Sequence, residues 1–445
     1  MSAKHRDTLR AILNAALDAV APDKAVLRHV ALQGSVLRID DVDYDLNAYE
    51  NIYVVGAGKG AAPMAATLEK LLGKRVSGGL VCVKYGHTVP TATVELVEAA
   101  HPVPDANGER AARAILCIAG AATERDLVLC VITGGASALT PALADGIPLE
   151  DGKTATSLLL ECGATIHEVN AVRKHLSVFG SGNLARAAYP ARLAALIISD
   201  VVGDNLDVIA SGPTSPDLST FVQCMEIVER YNLRHRMPPS VLARLEAGAQ
   251  GTISETPKPG DPVFTTVQNV LVATNTQALE AAAQEAVRHG YFPRILTSTM
   301  TGEAREAARD LVDTAMNLCM DGKTVSGPVC LLAGGETTVT VTGSGLGGRN
   351  QEMALAAALH LRDCDHITML CAGTDGTDGP TDAAGGFACS GTMERALCCS
   401  LDPHQHLANN DAYCLLDKTG DLLKTGPTLT NVMDIALVLV ECPRS

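Results

Sequence analysis

At 445 residues the chain is too long for one average domain, and a hydrophobic content of 47 % is enough for two sizeable cores. Aromatics make up only 3 % and Trp is absent, so the interior must be built from Ala, Val, Leu and Ile, as in helices layered on parallel strands. A net charge of −15 argues against a nucleic-acid or anionic-membrane partner, and no apolar run approaches the roughly 20 residues of a bilayer span.

The opening "MSAKHRDTLRAILNAALDAV" reads as an amphipathic helix, because Asn14 and Asp18 interrupt any signal-peptide core. A cytoplasmic location is expected, with mitochondrial targeting the alternative that a basic, helical N-terminus leaves open. Strands are expected at Ile52–Val55, Gly79–Val83, Leu127–Ile132, Leu193–Ile198, Val270–Ala273, Val329–Leu332 and Ile367–Cys371. Most run into a Gly, Ser, Thr or Asp turn and then an Ala- or Leu-rich helix, the pattern of parallel sheets with helices on both faces. Composition shifts at "GAQGTISETPKPGDPVF", Gly248 to Phe264, the expected linker between an N-terminal domain over 1–255 and a C-terminal domain over 262–445. The fourteen cysteines form no Cys-x-x-Cys pair, so zinc-ligand spacing is missing and most should be small buried residues in a reducing compartment.

In open α/β sheets ligands sit outside the carboxyl ends of the strands, so chemistry is sought in the turns. In "IYVVGAGKGAAPMAATLEKLLG", Gly56, Gly58 and Ala61 satisfy G-x-G-x-x-A. A dinucleotide site also needs an acidic residue near the end of the next strand to hold the ribose, and "LVCVKYGH" offers Lys84 instead. Lys59, between Gly58 and Gly60, is better suited to reach a phosphoryl group; the plain alternative is a tight turn with a solvated lysine. Next, Gly134, Gly135 and Ser137 of "TGGASAL" precede a helix, where amides and a hydroxyl either bind an anion or cap the helix. Arg173, Lys174 and His175 form a basic run that is either an anion site or a solvated face. Asp200 and Asp204 of "IISDVVGDN" either hold Mg²⁺ or form an Asx turn around Gly203.

Further along, Glu336 follows a strand, and a loop with Gly343, Gly345, Gly347 and Gly348 ends at Arg349. Arg349 then opens a helix, where its charge opposes the macrodipole, so an anionic partner is expected. Asp375, Asp378 and Asp382 lack EF-hand spacing and are equally explained by turn chemistry. Neither G-x-x-x-x-G-K-[ST] nor a protein-kinase catalytic set occurs.

Taken in order, "VVGAGKGAAPMA", "AAHPVPDANG", "TGGASAL", "VRKHLS", "LIISDVVGDNLDVIASGPTSPD", "GGETTVTVTGSGLGGRNQE" and "AGTDGTDGPTDAAGG" resemble the class II glycerate kinases, the glycerate 2-kinase family with a C-terminal MOFRL domain. The resemblance implies two α/β domains facing each other across a cleft that holds the active site. The first would be a Rossmann-like, doubly wound, mostly parallel sheet, and the second an α/β domain containing the MOFRL region at about 326–440. It implies transfer of the ATP γ-phosphoryl to the 2-hydroxyl of D-glycerate, with Mg²⁺ or another divalent cation. Lys59 and Arg349 match the residues singled out for catalysis in such enzymes. The matched stretches place Gly58, Gly60, His101, Asp105, Gly134, Gly135, Ser137, Arg173, Gly347, Gly348 and Asn350 as contacts for substrate or phosphate. Asp200, Asp204, Asp375 and Asp378 are the candidate metal ligands, and Asp204 or Asp378 the candidate base.

One departure stands out: the family usually shows a Lys-Gly-Gly tract where this chain has "FGSGN", Phe179 to Asn183. An NAD(P)H-dependent hydroxypyruvate reductase and a non-catalytic, metabolite-binding pseudoenzyme are the rival readings. The quaternary state is left as monomer or homodimer.

Overall fold

The computed structural model describes residues 3–320 and 327–441, so the outermost parts of the expected domains (residues 1–2 and 442–445) and residues 321–326 lie outside the described residues. Contacts group the chain into two compact units. One comprises Ala25–Ile198 with Asn205–Val272; the other comprises the N-terminal residues through Lys24, Ser199–Asp204 and the residues from Ala273 onward. This grouping is not contiguous in sequence, unlike the division at 255/262, because the N-terminal helix Ala3–Ala19 packs on the helix Asn275–Arg288. It does so through its apolar stripe: Leu9, Ile12, Leu13 and Ala16 are buried.

The first unit begins with a small antiparallel sheet of β1 (Val30–Gln33), β2 (Val36–Ile39) and β3 (Val42–Asp45). Its main sheet contains β4 (Asn51–Ala57), β5 (Gly78–Lys84), β6 (Glu95–Ala99), β7 (Asp126–Ile132), β8 (Arg192–Ile198) and β9 (Val267–Ala273), in the order β6-β5-β4-β7-β8-β9. The β4–β5, β5–β6, β4–β7 and β7–β8 pairs are parallel. Counted from β4, this is the doubly wound order 3-2-1-4-5-6, with its reversal between β4 and β7. Helices cover both faces, so every residue of β7, "DLVLCVI", is buried. We call this the Rossmann unit.

The second unit carries β10 (Phe292–Met300), β11 (Val329–Gly335), β12 (Ile367–Gly373), β13 (Gly385–Cys389), β14 (Leu422–Leu423) and β15 (Asp434–Val440), in the order β10-β11-β15-β12-β13-β14. Here the expectation of a parallel sheet is corrected. Only β10–β11 is parallel, because β15 inserts antiparallel between β11 and β12, and β13 returns antiparallel beside β12. The core of this mixed-sheet unit is aliphatic, centred on Met353, Leu355, Leu415, Met369 and Val438.

All seven expected strands are present, each longer than read. Among the described residues no helix is long and apolar enough to cross a membrane. Cys319 is disulfide-bonded, a feature that the expectation of a reducing compartment did not include.

Candidate active site

In the Rossmann unit the strand order reverses between β4 and β7, and the turns that follow these two strands meet. Gly58 N donates to Cys82 O (3.0 Å), Lys59 N to Gly134 O (2.9 Å), Gly60 N to Thr133 Oγ1 (2.9 Å) and Ala61 N to Gly58 O (3.3 Å). All four amides that a dinucleotide fingerprint would offer to a pyrophosphate are therefore spent inside the protein. A Cβ on Gly58, whose φ is +139°, would lie 2.1 Å from Thr133 Oγ1, so glycine is what allows the two turns to touch.

The amides of Gly134 and Gly135 have no acceptor among the described residues. A Cβ built on Gly135 would fall 2.9 Å from His101 Cδ2 and 3.4 Å from Lys59 Cγ, which places both side chains over this turn. Two amides without an acceptor, beside a lysine stem, have the chemistry that suits an anion. The helix after Gly135 is a single turn, Ala136–Leu139, so the expected dipole contribution falls away. Ser137 Oγ meets Ser211 Oγ at 2.9 Å. Asp105 caps the helix Ala106–Ala121, accepting from Gly108 N (2.9 Å), Ala100 N (3.2 Å) and Tyr85 Oη (2.9 Å). Burial pushes its carboxyl up, but these donors hold it below the usual range. Its geometry fixes the segment that carries His101.

The basic run Arg173–His175 ends the helix Ile166–Leu176, where cations suit the dipole, but it is not a solvated face. Lys174 is buried against Asp207 (3.1 Å) and Asp217 (3.4 Å). His175 is fully buried, 3.1 Å from Glu255 and edge-on to Phe221. Of the three, Arg173 alone has no hydrogen-bond or carboxylate partner among the described residues. Burial, with nothing to offset it, pulls its pKa down. It lines a cavity of about 490 Å³ together with Ser137 and Ser211.

In the mixed-sheet unit the register aligns Gly335 of β11, Asp434 of β15 and Gly373 of β12. Glu336, Asp434 and Asp375 thus come to one end of the sheet. The helix Arg349–His360 begins there. Arg349 Nε donates to Asp434 Oδ2 (2.6 Å), its Nη2 to Asp434 Oδ1 (3.0 Å), and its Nη1 lies 2.7 Å from Glu336 Oε1. Asn350 Nδ2 adds a bond to Asp434 Oδ1 at 2.9 Å. The anionic partner expected for an arginine at a helix N-terminus is, in this structure, the chain's own pair of carboxylates. Burial works against the guanidinium charge, but Asp434 and Glu336 outweigh it and hold the pKa of Arg349 above its ordinary value. Asp434 escaped the sequence reading; the acid opening the apolar run "DIALVLV" was its only signal.

The glycine loop before Arg349 is braced rather than open. Thr342 N and Gly343 N donate to Asn410 Oδ1 (2.8 and 3.0 Å), Gly345 N to Asn409 O (2.9 Å), and Leu346 N to Asp411 Oδ1 (2.9 Å). A Cβ on Gly348 would sit 2.3 Å from Asp378 Cγ. Asp378 comes that close because its carboxylate accepts from Asn350 N (3.1 Å) and Gln351 N (2.8 Å), capping the helix from outside. It is only 3 % exposed, and burial pushes its carboxyl up to about 6.

The remaining acids differ from one another. Asp375 Oδ1 accepts from Thr377 N and Oγ1, both at 3.0 Å, in an Asx turn. Asp200 Oδ2 lies 3.5 Å from Asn431 Nδ2. Asp204 has a left-handed backbone (φ 56°), and its buried Oδ1 has no hydrogen-bond partner among the described residues. Among the described residues no group of three or more His, Cys, Asp and Glu side chains is arranged to hold a metal.

Two family models match this chain: a domain of unknown function, DUF4147, over residues 8–246, and the MOFRL family over residues 329–434. A glycerate 2-kinase of Pyrococcus horikoshii is 39 % identical over 97 % of both chains. A hydroxypyruvate reductase of Agrobacterium vitis, so named only provisionally, is 41 % identical over 87 % of this chain and 86 % of its own. The crystal structure of glycerate kinase from Thermotoga maritima superposes with a TM-score of 0.86 at 37 % identity, covering 99 % of this chain and 100 % of the other.

Proposed function

The chain belongs to the class II glycerate kinases, the glycerate 2-kinase family with a C-terminal MOFRL domain, and from that premise we propose that it transfers the γ-phosphoryl of ATP to the 2-hydroxyl of D-glycerate. The observation that carries this reading is the turn pair of the Rossmann unit. The amides of its first turn are spent, those of Gly134 and Gly135 have no acceptor among the described residues, and Lys59 stands beside them. That arrangement suits a compact phosphoryl group and leaves no amide cradle for a dinucleotide pyrophosphate, which counts against the reductase.

In this account Lys59 neutralises charge on the phosphoryl group, with Gly58 and Gly60 allowing close approach and His101 flanking it. Arg173, which has no carboxylate partner among the described residues, takes the carboxylate of glycerate. Arg349 stabilises the charge that develops during transfer. Asp434 grips two of its nitrogens and Glu336 the third, so an incoming phosphate would displace the more exposed Glu336 while Asp434 keeps the guanidinium plane in place. Asn350 supports Asp434. Gly347 and Gly348 bring the loop close enough for Asp378 to cap the helix that carries Arg349.

Magnesium ordinarily keeps several waters and takes one or two protein carboxylates plus substrate phosphates, so it needs no cluster of three acids. Asp204, with a buried oxygen lacking any hydrogen bond, and Asp200 nearby in the chain fit that donor set. Bound with ATP, the ion would offset phosphate charge. Asp378 fits poorly as ligand or base, because helix amides occupy its oxygens, and Asp375 is engaged in its own turn. Asp204 is therefore the preferred base if it is not a ligand. A cytoplasmic setting, with mitochondrial targeting as the alternative, and a monomeric or homodimeric state belong to the same reading.

The test is an ADP-release assay with ATP, Mg²⁺ and D-glycerate, run beside NADH or NADPH with hydroxypyruvate. Glycerate-dependent ADP release with no oxidation of the reduced cofactor is expected. Cofactor oxidation without ADP release would establish the reductase instead, and ligand binding without either reaction would establish the pseudoenzyme.

A further inference from the structure

The cavity that Arg173 lines lies wholly within the Rossmann unit, and its chemistry does not match glycerate alone. Its volume of about 490 Å³ falls among cavities, roughly 300–1,000 Å³, that enclose drug-sized ligands. A three-carbon acid would leave most of it unfilled. The walls are largely hydrocarbon: Leu143, Leu176 and Phe179 line it, and Val103 and Leu160, both more than half exposed, stand at its rim. Large apolar side chains left in water around a concavity mark a surface that gains from being covered. Against these walls stands Arg173, a cation with no carboxylate partner among the described residues, whereas Lys153 in the same lining is paired with Glu150. Phe179 and Gly180 of the FGSGN segment also line the cavity, so the place where this chain departs from the Lys-Gly-Gly tract faces this space.

We infer that this cavity binds 2-hydroxy monocarboxylates carrying an apolar substituent, with the carboxylate on Arg173 and the hydrocarbon on the leucine and phenylalanine walls. The inference rests on the reading of Arg173 as the carboxylate's partner, and it widens the acceptor class beyond glycerate. A fully polar ligand would leave the hydrocarbon walls wet, and a neutral apolar ligand would leave a half-buried guanidinium without a counter-charge. An acid with a hydrocarbon tail satisfies both.

Isothermal titration of the full chain with D-lactate, D-2-hydroxy-4-methylpentanoate and D-3-phenyllactate tests this directly. Affinity should rise along the series by about fourfold for each methylene buried. Arg173→Gln should weaken all three acids by about tenfold or more, while leaving the neutral 3-phenylpropane-1,2-diol unchanged; Arg173→Lys should restore part of the loss. Phenyllactate binding no more tightly than lactate to the unaltered protein would overturn the inference, whatever the variants do. Displacement of phenyllactate by adenosine but not by glycerate would overturn it too, by assigning the cavity to the nucleotide base. The kinase reading fails separately: the affinity series with no glycerate-dependent ADP release would leave this inference standing and remove the proposed reaction.

Discussion

Asp434 grips Arg349 through two parallel hydrogen bonds, at 2.6 Å to Nε and 3.0 Å to Nη2, across 85 residues of sequence. The carboxylate is almost wholly buried, while about a third of the arginine side chain is exposed. A guanidinium held in this way has one edge fixed and one edge left to exchange partners, here Glu336. Removing one member of a buried pair costs about 3–5 kcal/mol, because the other is left buried without its counter-charge.

Asp434→Asn should therefore lower stability and turnover together, and its effect should couple to Arg349. In a double-mutant cycle, Asp434→Asn with Arg349→Met should unfold at a higher temperature than additivity of the two single changes allows. Additive melting temperatures would show that the pair is not energetically linked.

Lys59→Met should fold normally and turn over slowly. A unit charge at contact distance, in surroundings of effective dielectric about 20, is worth up to about 4 kcal/mol, so a fall of about two to three orders of magnitude in kcat is expected. Stopped assays on protein with an unchanged circular-dichroism melt would check it. Near-normal kcat would remove Lys59 from the transition state.

Asp378 should leave a signature in the pH dependence of stability. Its carboxyl is raised from an ordinary value near 3.8 to about 6 by burial, so the native state holds the proton more tightly than the unfolded chain. Its contribution is most favourable below pH 4, declines as pH rises towards 6, and is fully lost above that. Urea unfolding of the parent and of Asp378→Asn between pH 4 and 7 should show the parent losing stability relative to the variant across this window. A difference that grows in the parent's favour as pH rises would reverse the sign and refute the assignment.

If Asp204 is a metal ligand, Asp204→Asn should raise the Mg²⁺ concentration needed for half-maximal activity. The shift should be at least the roughly tenfold typical of losing even an outer-shell partner. Mn²⁺ binding followed by electron paramagnetic resonance in the presence of ATP reads the same loss without turnover. An unchanged metal requirement together with a collapsed kcat would instead make Asp204 the base.

Much of this was legible locally and little of it at long range. The strand–turn–helix around Lys59 could be read because glycines and a lysine at short spacing have few other uses. Arg349 stands out in the sequence because its charge opposes a helix dipole. Its partner could not be read: no local pattern says that the last strand, β15, enters antiparallel between β11 and β12 and brings Asp434 to that helix. The same limit applies to Asp378, whose acidic turn looks like any other until Gly348 is found packed against it. Lys174 and His175 look like a solvated run in sequence and are buried in the fold, because the helix that carries them turns those two positions onto Asp217, Glu255 and Phe221.

Phosphoryl transfer to the 2-hydroxyl of glycerate can be followed outright by phosphorus NMR of the purified chain with ATP, Mg²⁺ and D-glycerate. A growing 2-phosphoglycerate signal that matches the loss of ATP γ-phosphate is expected. A 3-phosphoglycerate signal, or an unchanged ATP spectrum over folded protein, would contradict it.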